Sequence, residues 1–204
     1  AELIRLVLRK DYPTLNLSQA RVVLLEATDR LLGNLPPDLD QAAQKALRQK
    51  GVEVWLGAQV RDYDGQRIYL ADGRILPAQT LIWAAGVQAT ELAQTLPLAL
   101  GSQKRVRVLP TLQTPGYPQV FVIGDAAYLE DEHGQPLPMM APVAMQQGEH
   151  AARNILRVLR GEPLQPFHYR DLGSMATIGR NQAVAALFGV HLKGFIAWII
   201  WLFV

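Results

Sequence analysis

Apolar positions along this chain fall into short runs separated by polar, glycine or proline breaks, and the spacing inside each run predicts an element. Residues 1–11 keep helical spacing up to a break at Tyr12-Pro13. Arg21-Val-Val-Leu-Leu-Glu26 predicts a short buried strand that ends in an acid. Asp38 is placed to cap a helix reaching about Lys50, because Leu39, Ala42, Ala43, Ala46 and Leu47 recur at helical intervals. Gly51 closes that helix, and residues 52–56 predict the next strand. Strand, helix and strand in this order signal a parallel sheet covered by helices.

From Gln59 to Leu76 the pattern shortens to alternation, and Asp64-Gly65 and Asp72-Gly73 predict hairpin turns in a small antiparallel meander. Residues 80–86, Thr-Leu-Ile-Trp-Ala-Ala-Gly, predict a buried strand ending in small side chains. Residues 120–127, Val-Phe-Val-Ile-Gly-Asp-Ala-Ala, predict another, running straight into Gly-Asp. A long helix is expected from about Pro142 to Leu159, closed by Gly161 and Pro163. The β pattern returns at residues 167–171, 174–179 and 182–187. The chain finishes in FIAWIIWLFV, residues 195–204, which is too short to cross a bilayer core that takes about 20 residues.

Composition narrows the chemistry. Half of the 204 residues are hydrophobic and 19% are charged, which argues against disorder. A net charge of +2, with no basic run interleaved with aromatics, gives no reason to expect a nucleic-acid partner. The absence of cysteine excludes disulfide redox chemistry, thiolate nucleophiles, iron–sulfur ligation and cysteine zinc sites within these residues. His133, His150, His168 and His191 show no metal-ligand spacing, so no metal site is expected, and no Ser/His/Asp arrangement marks a nucleophile. The first residues lack an initiating Met, an N-cap and a signal peptide, and the apolar end carries no stop signal. The expectation is a piece of a longer protein.

Four places could carry chemistry. Glu26, an acid at a strand end, suits the ribose hydroxyls of a dinucleotide and would repel a 2′-phosphate, which favours NADH; the alternative is a surface glutamate. The Gly-rich phosphate turn that should precede it by about 20 residues is not in the sequence. Ala84-Ala85-Gly86 offers a strand end without bulk, for a cofactor ring or simply for a tight turn. Gly124 and Asp125 place a bare backbone and a carboxylate at the carboxyl end of a strand, where open α/β sheets bind ligands. Ala141-Pro-Val-Ala-Met-Gln-Gln-Gly148 opens the long helix, whose first N–H groups suit an electron-rich ring, while Gln146 and Gln147 add amides or are merely solvated. Trp198, Trp201 and Lys193 in the apolar end suit a membrane headgroup boundary, or else a core or dimer-interface helix that leaves a homodimer open.

In order along the chain, these segments resemble the flavin-dependent pyridine-nucleotide oxidoreductases, and within them the C-terminal part of type II NADH dehydrogenases, single-subunit NADH:quinone oxidoreductases. The resemblance rests on Leu25-Glu26-Ala27 with Arg30-Leu31-Leu32, Ile82-Trp-Ala-Ala-Gly-Val87, and Phe121-Val-Ile-Gly-Asp-Ala126. It extends through Ala144-Met-Gln-Gln-Gly148, Phe167-His-Tyr-Arg-Asp171 and Met175-Ala-Thr-Ile-Gly-Arg180. It implies an α/β fold of two dinucleotide-binding, Rossmann-like domains, here truncated, with a C-terminal membrane-binding segment. Residues 1–100 would be the NADH-binding domain without its first strand and Gly-rich turn. Residues 101–165 would be the second half of the FAD-binding domain, and residues 166–204 the start of the membrane-association region. FAD would meet Gly124, Asp125, Ala144, Met145 and Gln146; NADH would meet Glu26, Ala85 and Gly86; lipid quinone would meet Gln146 and Gln147. The enzyme would lie peripherally on the cytoplasmic face of the cell membrane, docked through the apolar end.

Two positions depart from the family pattern. Pro142 stands where a glutamine is frequent, and Leu172 where a lysine is frequent, both beside the implied quinone pocket. The competing readings are a soluble ferredoxin- or rubredoxin-reductase-like flavoprotein, which has no need of the apolar end, and a non-catalytic membrane-tethered fragment, which binds no flavin.

Overall fold

A π-helical segment, Leu3–Leu8, runs into α1 (Arg9–Asp11) and stops at Tyr12, where the break before Pro13 was expected. β1 (Val22–Leu25) and β2 (Val52–Trp55) then pair in parallel, Val22 opposite Val52 and Leu25 opposite Trp55, with α2 (Pro37–Gln49) between them in sequence. The computed structural model describes residues 1–14, 16–17 and 20–203. Packing divides it into two units, residues 1–82 with 172–204 and residues 83–171. The resemblance implied functional boundaries near residues 100 and 165.

α2 starts at Pro37 rather than behind an Asp38 cap, and Asp38 lies inside its first turn. Proline presets a helical φ and has no N–H to leave unpaired, so it can begin a helix without a side-chain cap. Leu39, Ala43 and Ala46 form the buried stripe, packed with Leu35, Ile178 and Val184. β3 (Val60–Tyr63), β4 (Arg67–Leu70) and β5 (Ile75–Pro77) make the expected antiparallel meander. Its turns are fixed by carboxylates: Asp64 accepts the N–H groups of Gln66 and Arg67 at 2.8 and 2.7 Å, and Asp72 accepts that of Arg74 at 3.0 Å.

Residues 80–86 do not form the buried strand their composition suggested. Ile82 is 84% exposed and Trp83 67% exposed. Among the described residues no strand pairs with this run, and only Leu81 of it packs on a core, that of the meander.

The second unit contains α3 (Glu91–Thr95), β6 (Val106–Arg107), β7 (Gln113–Thr114), β8 (Tyr117–Phe121), β9 (Ala127–Tyr128) and α4 (Ala141–Arg160). β6 and β9 pair in parallel, β7 and β8 antiparallel. Leu112, Leu129, Leu137, Val143, Ala151 and Phe167 form its main core. α4 ends where expected, with Gly161 left-handed at φ 67°.

The chain then returns to the first unit as β10 (Ser174–Thr177), β11 (Ala183–Leu187), β12 (Val190–Gly194) and α5 (Phe195–Trp201). These three strands form one antiparallel sheet. Alternation on β11 makes it two-faced: Val184 joins the α2 core, while Ala183 and Ala185 pack on Ala197 of α5. The apolar end is thus a seven-residue helix with Ala197 buried and Phe195, Ile196 and Trp201 exposed. Val204 lies outside the described residues. No helix among the described residues is long and apolar enough to cross a membrane.

Candidate functional site

The Gly124–Asp125 loop is laid across the start of α4. β8 ends at Phe121, two residues short of the expected strand end, although Val122 still donates to the Leu112 carbonyl at 3.1 Å. The strand is half-buried at that end rather than buried throughout, and Ile123 is 40% exposed. Gly124–Ala126 then forms a single 3₁₀ turn with Gly124 at φ 62°, a conformation glycine adopts freely. A side chain at 124 would place its Cβ 3.2 Å from the Ala144 Cβ, and one at 148 would lie 3.6 Å from Ile123 Cδ1. Ala144, Gln147 and Gly148 share one helical face, and the loop and α4 meet at close range where Ala144 and Gly148 carry little or no side chain.

Gln147 closes this contact. Its Oε1 accepts the Gly124 N–H at 2.6 Å, and the side chain is fully buried. Expected on the quinone side, Gln147 is instead turned inward, on the face of α4 that meets the loop. Its Nε2 is buried without a hydrogen-bond partner, a situation that costs about 1–3 kcal/mol.

Asp125 projects from the turn into solvent, and Ala126 is half-buried behind it. Beneath the turn lies Arg105, 2% exposed, which donates to the carbonyls of Ala127 at 2.8 Å and Leu137 at 3.0 Å. Burial pushes its guanidinium below the usual arginine range, and the Asp125 carboxylate pulls it back. Arg105 was missed in the sequence because Lys104-Arg105-Val-Arg107 reads as an exposed charged run.

α4 opens without a side-chain cap, behind an extended Met140, with proline in its first turn and no acid there. Pro142 therefore occupies a place where its missing N–H costs nothing. The half-buried Ala144 closes this first turn and the exposed Met145 follows it, near the positive end of the helix.

A second face of α4 holds residues 165–170. Gln146, His150 and Asn154, spaced four apart, each bond that backbone. Gln146 donates to and accepts from Arg170 at 3.0 Å each, His150 Nε2 lies 2.9 Å from the Gln165 carbonyl, and Asn154 bonds Gln165 at 2.9 and 3.0 Å. Phe167 donates to the Pro110 carbonyl at 2.8 Å. Residues 167–171 are not the expected strand: among the described residues no ladder includes them, and the Arg170 backbone bonds the Gln146 side chain instead. Gln146 keeps one amide N–H and further acceptor capacity beyond the two bonds to Arg170.

In the first unit, Glu26 follows β1 as expected and is half-buried. Its Oε1 accepts the Thr28 N–H and hydroxyl at 2.8 Å each, which holds the carboxylate at the strand end. Ala85 and Gly86 open the second unit and are exposed, Gly86 at φ 107° with open space around it. Lys193, expected at a headgroup boundary, pairs with Asp38 Oδ2 at 2.8 Å, beside His191 on Asp38 Oδ1 at 3.0 Å.

A parallel strand–helix–strand unit with an acid at its first strand end, and a Gly-Asp turn laid on an uncapped helix start, place the chain in the α/β class, in which ligands sit at the carboxyl ends of strands. The bare Gly124 backbone, the solvent-facing Asp125 and the uncapped helix end fit the ribityl and ring portions of a flavin dinucleotide. The chain belongs to the pyridine nucleotide-disulphide oxidoreductase family, whose model matches residues 14–148. It is 38% identical over 213 residues to the type II NADH:quinone oxidoreductase Ndh of Mycobacterium tuberculosis, covering 99% of this chain and 45% of that protein. It is 32% identical to the type II NADH:quinone oxidoreductase of Staphylococcus saprophyticus, covering 87% of this chain and 45% of that one. The chain thus spans less than half the length of these relatives. Its fold matches the structure of NDH2 from Plasmodium falciparum in complex with NADH, with a TM-score of 0.85 at 15% identity, over 98% of this chain and 57% of that one.

Proposed function

We propose that this chain is part of a FAD-dependent enzyme that passes electrons from NADH to a membrane quinone. The observation that carries the reading is the 38% identity to a type II NADH:quinone oxidoreductase along 99% of the chain, apolar end included. Bound FAD would accept a hydride from NADH and release two electrons to quinone. The residues here would bind and orient. Asp125 would hydrogen-bond the ribityl–phosphate portion, and the backbone at Ala144 and Met145 would border the ring with Gln146 on its quinone side. Glu26 would hold the NADH ribose, with Ala85 and Gly86 close to the nicotinamide. We take residues 1–82 as the NADH side and 83–171 as the FAD side, the division that packing supports. The exposed face of α5 we assign to lipid, on the cytoplasmic side of the membrane, rather than to a second copy of the chain.

The test uses the full-length protein: its flavin absorbance, and NADH oxidation with a soluble quinone against ferricyanide. Bound flavin with quinone reduction is the expected result. Absence of flavin overturns the reading, and flavin that reduces ferricyanide but no quinone reassigns the enzyme to the soluble reductases.

A further inference from the structure

We infer that Gln147 is a positioning residue, whose carboxamide oxygen fixes the Gly124–Asp125 turn on α4 and thereby sets where Asp125 meets the cofactor. The inference rests on the flavin reading above, but its first observations concern the turn alone. The Gly124 N–H can only donate, so the carboxamide atom 2.6 Å from it is the oxygen. That leaves Nε2 as the buried amide without a partner. An apolar side chain would fill the same buried position and leave no donor unmet. The geometry therefore points to the oxygen as the part of Gln147 that the site uses.

The turn needs such a clip. It pivots on a glycine at φ 62°, which has more backbone freedom than any other residue. Ala144 and Gly148, on the same face of α4, present no polar group to it. Gln147 is thus the side chain that converts contact between turn and helix into a defined register. The adjacent Gln146 points elsewhere and holds Arg170, so two consecutive glutamines fasten two different segments to one turn of helix.

The experiment uses the full-length protein with Gln147→Met, which removes the strong acceptor, and Gln147→Glu, which keeps an oxygen at the same reach. Asn154→Leu is the control, because Asn154 is an equally buried carboxamide on the same helix without a bond to the turn. In Gln147→Met, the amides of residues 124–126 should lose hydrogen-exchange protection. FAD should bind about tenfold more weakly, as loss of one hydrogen bond implies, with an altered visible circular dichroism per bound flavin. Gln147→Glu should recover most of the affinity. Asn154→Leu should lower the melting temperature while leaving flavin affinity and spectrum within about twofold of wild type.

Unchanged exchange protection in Gln147→Met overturns the clip, whether or not flavin binds. Lost protection with unchanged FAD affinity and spectrum overturns its role at the cofactor. An equal loss of affinity in Asn154→Leu reduces the effect to general destabilisation and overturns it as well. A wild-type protein devoid of flavin defeats the functional reading instead, and the exchange measurement still decides whether Gln147 holds the turn.

Discussion

Asp125 and Arg105 stand on either side of one short turn, the carboxylate in solvent and the guanidinium buried beneath it on two backbone carbonyls. The arrangement leaves Asp125 free to bond a ligand while the backbone under it stays fixed. Asp125→Ala should therefore lower FAD retention by about tenfold or more, since it removes a charge-assisted hydrogen bond, while leaving the melting temperature of the apoprotein near wild type. Undiminished flavin occupancy after gel filtration would remove Asp125 from the site. Gly173 poses a purely structural question. At φ 96°, a Cβ there would collide with the Ala186 carbonyl oxygen, and β10 and β11 pair immediately beyond it. Gly173→Ala should cost about 2 kcal/mol or more, read as a fall in melting temperature. Some of this scale was legible in the sequence: Gly124, Asp125 and Glu26 sit where a strand pattern gives way to small or acidic residues. Gln147 was not, because adjacent glutamines on a helix look alike until the helix has something to pack against.

Between elements, polar contacts decide what the apolar pattern leaves open. Asp38, in the first turn of α2, accepts Lys193 and His191 from β12, and so ties helix to sheet on the polar side of the α2 core. The hydrogen bond from Lys193, aided by the charges of Lys193 and His191, holds the Asp38 carboxyl below the usual carboxylate range. A depressed folded value means that the contribution is fully present above the unfolded value of about 3.9 and is lost as pH falls through the folded one. The stability difference between wild type and Asp38→Asn should thus be constant near neutrality and shrink toward zero below about pH 4 in thermal melts. A difference that persisted at low pH would discount the ion pair. The sequence marked Asp38 as a helix cap, since acids are common there; that its partners lie more than 150 residues away is a tertiary fact. Residues 167–171 teach the same lesson. Their apolar–polar alternation suggested a strand, yet Gln146 bonds the backbone of Arg170 and the Pro110 carbonyl takes the Phe167 N–H, while His150 and Asn154 hold Gln165 just before them.

For the molecule as a whole, the apolar end is two-faced. α5 buries Ala197 on the β11 sheet, and Phe195, Ile196, Ile199 and Trp201 of the helix, with Leu202 and Phe203 after it, are more than a third exposed. If that face docks on lipid, Ile196→Asp with Trp201→Asp in the full-length protein should cut co-sedimentation with phospholipid vesicles by about tenfold or more. Flavin content should hold; equal sedimentation would assign the face to protein. The sequence by itself determined the parallel β1–α2–β2 unit, the Asp-Gly meander, the long α4 with its glycine stop, and the resemblance that named the cofactors, because each depends on spacing or turn chemistry among near neighbours. Tertiary structure alone decided that residues 82–86 lie exposed, that residues 172–204 pack with 1–82, and that Gln147 serves the Gly124 turn. Those outcomes depend on which distant backbone groups find partners, and local pattern carries no record of that.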